Sequence, residues 1–554
     1  MATRERFGRV SVLGHAAACV TLSLALVGCS LPFGRSEQPH QAPSEPKEVV
    51  LEDVGTEGAM PVAMDAMPEA NYYEVGETEG WYEEVVPLNT EEYADLTEQG
   101  FVSTTTRPLS TISSDVDTAS YANLRRMLRD GYDLEEIPDG AVRTEEMLNY
   151  FSYGYKTPKA GADDLFETTV HVGDCPWNDQ TKLVTLGFAT APEAAEVTER
   201  GSNLVFLIDI SGSMDEPDKL DLLKEAFEEL VDHLDENDCV SIVTYANGEE
   251  VVLDGAKGTE GRKIMRAIRR LRADGFTNGE AGLRMAYDLA KDHYIEGGVN
   301  RIVMASDGDL NVGITSESDL HDFVDEQRET GIYLSVLGFG SGNYKDTKME
   351  TLADHGNGSY HYIDCIEEAE RVLGTNLMAN LVPLADDVKV QVEFNPAQVK
   401  AYRLIGYENR AMADEDFTND ERDAGDVGPS NQFTVAYEVA LADSDLEVGT
   451  TDLKYGTGAT GDASSDEWMT ASVRYKPAAG GKVRQQEWVI SQKDWQRDPG
   501  EDWRFQAGVI EFAMVLRDSE HVGTADYDSI CELVGDPEAN DRAEFLDLVG
   551  LALG

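Results

Sequence analysis

In the stretch NLVFLIDISGSM, residues 203–214, an apolar run from Leu204 to Ile208 breaks into Asp209, Ser211 and Ser213, oxygen-bearing side chains at every second position. Two more oxygens stand in comparable contexts. Thr277 precedes a helical pattern in DGFTNGEAG, and Asp307 ends another apolar run in MASDGDLNVG. Two carboxylates and three hydroxyls, without His or Cys, make a hard donor set suited to a divalent cation such as magnesium. Each fragment also has an ordinary structural use. Ser213 with Glu216 and Thr277 with Glu280 match the capping box, and Asp307-Gly308 is a common turn pair. The combination favours a site, provided the fold brings three separate loops to one place.

The elements around these residues are of the kind that would do so. NLVFLID, CVSIVTY, RIVMAS and IYLSVLGFG are short apolar runs typical of strands covered on both faces. Between them, Leu220, Leu223, Phe227, Leu230 and Leu234, then Leu283, Ala286, Tyr287 and Ala290, recur at spacings of three and four, which predicts helices with one apolar stripe. The alternation predicts an α/β domain over 201–385, doubly wound, mostly parallel and Rossmann-like, with its ligand site at the carboxyl ends of the strands. All five oxygen residues fall on that rim. Gly212 is expected to let the first loop curl.

These residues resemble the von Willebrand factor type A (VWA) domain, whose metal-ion-dependent adhesion site runs Asp-x-Ser-x-Ser, then Thr, then Asp. The match is Asp209, Ser211, Ser213, Thr277 and Asp307, in order and in strand context, over roughly 180 residues. The resemblance implies that Ser211, Ser213 and Thr277 supply oxygens directly or through water, while Asp209 and Asp307 balance the charge, frequently through water. Magnesium is the implied ion, with manganese and calcium as alternatives, and its open face would take an Asp or Glu carboxylate of a protein partner. Segments such as PLSTISSDVDTASYANLRRML, CPWN and VQVEFNPAQVKAYRLIGYENR are similar to the YfbK-type bacterial lipoproteins, in which such a domain lies between two family-specific flanks.

Composition sets the surroundings. The 554 residues carry 45 basic against 106 acidic side chains, a net charge of −61, which argues against nucleic-acid binding through a basic face. That field would also repel an acidic partner, so a docking carboxylate needs a local positive centre; beyond about 8 Å the repulsion is screened at physiological salt. Arg4, Arg6 and Arg9 precede a largely apolar run to Gly28 that ends in LVGC, as in a lipoprotein signal peptide (1–28) whose lipidated residue is Cys29. Residues 29–87 read as an acidic, largely disordered tether. The protein is therefore expected outside the cytoplasm, lipid-anchored to the cell membrane or outer membrane. Cys175, Cys239, Cys365 and Cys531 remain, Cys239 as a buried thiol, and no disulfide is expected.

The flanks read as an α+β region over 88–200 and a β-rich, then helical region over 386–554. Tyr121, Leu124, Met127 and Leu128 predict a helix with Asp117 or Thr118 as its cap, and a second helix is expected over 143–151. Strands LFETTVHVG and KLVTLGFAT are expected to pair with DVKVQVEF, VKAYRLIGY, FTVAYEVAL, WMTASVRYK and QQEWVIS, forming a β-sandwich into which the α/β domain is inserted. The last segments, WRFQAGVIEFAMVLRDS and RAEFLDLVGLAL, read as helices.

Two function classes follow. The first is an extracytoplasmic binding or adhesion module without catalytic residues, a small-molecule cofactor or a nucleic-acid partner. The alternative is an envelope-modifying hydrolase with its cleft in a flank and the α/β domain for targeting. The sequence offers no nucleophile and base at suggestive spacing for the second, and neither His-Glu-x-x-His nor Gly-x-Ser-x-Gly occurs.

Overall fold

The computed structural model describes residues 89–159, 162–192, 200–277, 279–308, 317–449, 458–478 and 480–553. The expected signal peptide, Cys29 and the tether lie outside the described residues, as does most of DGDLNVG.

Six strands form the sheet of the inserted domain, in the order Tyr360–Ile363, Tyr333–Phe339, Val299–Ser306, Ser202–Asp209, Cys239–Tyr245, Glu249–Lys257. Neighbours run parallel except the last pair. Alternation along the central strand decides which face each side chain serves. Leu204, Phe206 and Ile208 pack with Leu223, Phe227, Leu230 and Ile264, whereas Val205 and Leu207 pack with Leu283, Ala286, Tyr287 and Val324 on the opposite face. Each such large side chain contributes about 1.5–3 kcal/mol by leaving water. The central strand is thus clamped between two helical layers, and its carboxyl end holds Asp209.

The flanks build a sandwich from both ends of the chain. One antiparallel sheet has the order Val102–Ser103, Val399–Ile405, Gln432–Leu441, Lys182–Thr190, Phe166–Asp174; the other runs Ala411–Met412, Leu109–Ser113, Ala385–Phe394, Glu467–Pro477, Arg484–Ser491. Their inner faces share a core in which Val184, Leu186 and Phe188 meet Val390, Val392 and Val473. The outer face of the first sheet is covered by the helices Glu501–Leu516 and Asn540–Leu553, with Trp503, Phe505, Phe512 and Phe545 packed together with Leu183 and Ile405. Strands before and after the α/β domain pair directly, Leu186 with Val435 and Ile112 with Val390, so the domain is an insertion.

Some local expectations give way. The helix Ala119–Asp130 starts without a side-chain cap from Thr118. Asp117 instead accepts from the Tyr360 backbone N–H at 2.8 Å, and Thr118 Oγ1 lies 3.0 Å from His361 Nδ1, so both are spent on docking the inserted domain. Glu146 accepts from the Ser120 N–H at 2.8 Å in their place. The helix expected over 143–151 is limited to Thr144–Asn149. Cys239 is half-buried, and the four cysteines of the described residues are free thiols.

Candidate metal centre

Asp209 ends the central strand at 0% exposure. Its Oδ1 accepts the Ser211 backbone N–H at 2.8 Å and its Oδ2 accepts from Ser306 Oγ at 3.1 Å. Ser211, 2% exposed, has its Oγ 3.0 Å from that of the half-buried Ser213. The short turn Gly212–Met214 has no side-chain cap, and Glu280 accepts from Arg284 at 2.9 Å.

The loop carrying Thr277 is drawn against this turn through backbone bonds. Gly212 N donates to Gly275 O at 3.0 Å and Asp274 N to Ile210 O at 2.8 Å, while Asn247 Oδ1 accepts from Phe276 N at 2.9 Å. Gly212 matters here for clearance, since a Cβ would sit 3.3 Å from Gly275 O. Conformation matters at Gly275, whose φ of +90° excludes ordinary side chains and whose missing Cβ leaves room for Asn247. Thr277 is held at 6% exposure, and beside it Phe276 is 83% exposed.

Asp307, at 0% exposure, follows the strand Val299–Ser306, next to the one that ends in Asp209. Its Oδ2 accepts from Lys219 Nζ and from Asn343 Nδ2, both at 3.1 Å, and Lys219 Nζ also donates to Asn343 Oδ1 at 2.9 Å. Lys219 is buried, in a turn over Pro217–Asp221 where the sequence predicted the start of a helix. Its backbone departs from helical values at φ −119° and ψ −105°, and its stem lies where a Cβ on Gly340 would come within 2.2 Å of Cε.

The electrostatics follow from this packing. Burial pushes the Asp209 carboxyl up to about 7, and the charge of Asp307 adds to the rise, while hydrogen bonds from Ser211 and Ser306 oppose it. Among the described residues, two buried carboxylates lie at this rim and Lys219 supplies an ammonium to Asp307, an oxygen-rich setting that a hard cation would suit. Among the described residues no group of three or more His, Cys, Asp or Glu side chains is arranged to hold a metal. An ion at this rim would be held with the help of hydroxyls, and the donors present fit magnesium chemistry. The sequence pointed to the five oxygen residues and did not point to Ser306, Asn247, Lys219 and Asn343, which contact the same loops. Ser306 had only its place beside Asp307 as a signal, and Lys219 only its place in EPDKL beside the SGS turn.

Comparison with known proteins identifies the domain that carries these residues. Residues 203–372 match the model of the von Willebrand factor type A domain, residues 87–185 one described as von Willebrand factor, and residues 379–553 the C-terminal region of YfbK. YfbK of Escherichia coli is 38% identical over 460 residues, 81% of this chain and 78% of that one. The chain belongs to the YfbK family. Like other proteins with a VWA domain, this YfbK-family member carries a module that typically mediates protein interaction or adhesion and commonly binds a divalent cation. Inter-alpha-trypsin inhibitor heavy chain H3 of Mesocricetus auratus is 26% identical over 272 residues, 46% of this chain and 30% of that one. A solved von Willebrand factor type A protein from Catenulispora acidiphila covers 72% of this chain and 91% of its own, at 15% identity and a TM-score of 0.39.

Proposed function

We propose that the protein is a binding module rather than an enzyme, anchored to the cell envelope by a lipid on Cys29 and displayed outside the cytoplasm. In this reading Asp209, Ser211, Ser213, Thr277 and Asp307 hold a divalent cation, magnesium before manganese or calcium, that recognises an acidic side chain on a protein partner. The observation that carries the reading is the gathering of Asp209, Ser211 and Ser213 with Asp307 at one sheet rim, close enough that the charge of Asp307 raises the Asp209 carboxyl.

The bound ion would supply a Lewis-acidic centre with an exchangeable coordination position. The chain's own residues do the rest. Asp209 and Asp307 contribute charge from the buried floor, while Ser213 stands nearer the surface and Phe276 projects beside the rim. Lys219 and Asn343 fix Asp307 by hydrogen bonds to one of its oxygens. A partner carboxylate would meet two protein carboxylates, one ammonium and a divalent ion, a local sum of +1, whereas without the ion it meets −1 and is repelled.

Calorimetric titration of magnesium, followed by capture of envelope proteins from cells with and without chelator, tests the reading. Saturable binding and a captured protein that is lost on chelation and in Ser211→Ala are expected. Capture that ignores both would sink it, and so would a chain that binds none of the three ions.

A further inference from the structure

Residues 261–272 stand apart from the acidic remainder. They hold Arg262, Lys263, Arg266, Arg269, Arg270 and Arg272 and no acidic residue. The helix Gly261–Ile268 buries Ile264, Met265 and Ile268, which leaves all six basic side chains exposed. Arg262, Arg266 and Arg270 follow one another at four-residue spacing and form a stripe of mutually repulsive charges that the fold does not need. Arg269 pairs with Glu228, Lys263 lies 3.8 Å from Glu260, and Arg272 donates to the backbone carbonyls of Arg269 and Leu271. Among the described residues, Arg262, Arg266 and Arg270 have no ion-pair partner.

The stripe is aimed. The strand before it ends at Lys257, level with Cys239 at the start of its neighbour, so the helix sets out from the base of the sheet. It climbs toward the rim, where Asp274 and Gly275 bond the backbone of Ile210 and Gly212. Thr277 follows Arg270 by seven positions, which limits the gap to about 25 Å. Alongside runs a groove against the helix Leu222–Asp232, with Val231 and Met265 in it and Glu228 and Asp232 on the far side.

We propose that this stripe extends the adhesion site and docks an acidic, extended segment of a protein partner. One carboxylate would lie at the ion while others, along about ten residues of chain, pair with Arg262, Arg266 and Arg270. The inference rests on the rim reading above. It also provides the local positive centre that an acidic partner requires on a chain of net charge −61. A single extended peptide senses chiefly what lies within about 8 Å, and so feels the stripe. A duplex or a bilayer is broader than the stripe and would face the flanking Glu228, Asp232 and Glu260 as well.

The test uses the full chain and a fluorescent twelve-residue glutamate peptide, followed by anisotropy with magnesium present. Reversing the stripe with Arg262→Glu, Arg266→Glu and Arg270→Glu together should weaken binding about thirtyfold, and Arg266→Glu alone about threefold. The triple Lys replacement should stay within about fivefold of the parent, because it keeps the charge. A reversed chain that melts like the parent yet binds the peptide equally well overturns the proposal. So do phosphatidylglycerol vesicles that bind the parent more tightly than the peptide does. Ser211→Ala separates the two readings. If chelation and Ser211→Ala abolish binding but charge reversal does not, the stripe fails and the rim stands; if only charge reversal matters, the stripe stands and the rim reading falls.

Discussion

Two buried clusters of carboxylates lie in or against the same α/β domain and are compensated in opposite ways. At the seam with the flanks, Arg410 reaches Asp354 at 2.5 Å, Asp117 at 3.1 Å and Asp115 at 3.3 Å, and Arg143 reaches Asp346 at 2.6 Å and Glu350 at 3.3 Å while also pairing with Glu146. At the rim, among the described residues, Asp209 and Asp307 are met by hydroxyls, backbone, the Asn343 amide and the Lys219 ammonium. A guanidinium offers five donors in a rigid plane and can bind several carboxylates at once, which locks the seam. Hydroxyls bring no charge, and an ammonium engaged by Asp307 and Asn343 leaves Asp209 uncompensated. One cluster is built to stay shut, the other to accept something more.

The largest expected effect breaks the seam. Arg410→Ala removes the fork that joins the buried Asp115 and Asp117 to the half-buried Asp354 and should lower stability by about 3–5 kcal/mol in chemical denaturation. Magnesium affinity at the rim should change less than twofold if the folded fraction is allowed for. An equal loss at both clusters would mean that they are one unit and would erase the contrast.

Second comes the rim itself. Ser211→Ala deletes one hydroxyl without removing charge, so the metal-free chain should lose less than about 1 kcal/mol, while magnesium affinity drops on the order of a hundredfold. Thermal melts with and without the ion read both numbers: the parent's ion-induced rise in Tm should vanish in the variant.

How much of this contrast was visible in the sequence depended on range. The four inner strands of the α/β domain were legible because each is buried on both faces and so almost wholly apolar. The two outer strands were not: Glu249–Lys257 exposes most of its residues and opens with two glutamates, and Tyr360–Ile363 is short with a histidine inside. The five oxygen residues could be proposed from sequence because each stands in a short local pattern within its own loop. Lys219 could not, since its kinked backbone and its pairing with Asp307 depend on Asn343 and Gly340, over a hundred positions away. The seam was illegible for the same reason. Asp117 looks like a cap in its own neighbourhood, and only the arrival of Tyr360 and Arg410 shows that it is a clasp.

The third prediction sharpens the seam through pH. Glu145, adjoining it, is fully buried, and burial together with the charge of Glu408 pushes its carboxyl from an ordinary 4.5 up to about 8. A carboxyl raised in the folded state binds its proton more tightly there than in the unfolded chain. The native state therefore loses stability as pH rises from about 4.5 to about 8, and the loss is complete above that. Glu145→Gln, which keeps the shape and cannot ionise, should come close to the parent at pH 5 and exceed it by about 4 kcal/mol at pH 9. Parallel pH profiles for the two chains would show that Glu145 does not titrate in this way.

The smallest effect concerns the Lys219 ammonium at the rim. Lys219→Met keeps most of the stem against Gly340 but removes the ammonium from Asp307, which retains the Asn343 amide, so the metal-free chain should weaken by about 2–3 kcal/mol. The same change leaves the cluster one charge more negative, and magnesium should then bind about tenfold more tightly. Partner capture should move the other way. With the ion bound, the local sum falls from +1 to zero, and a carboxylate loses part of what attracts it. Tighter ion and weaker partner from one substitution is a signature that general loosening of the loop cannot produce, since loosening weakens both. If magnesium and partner binding fall together in Lys219→Met, the ammonium is a structural prop and the rim is compensated by other means.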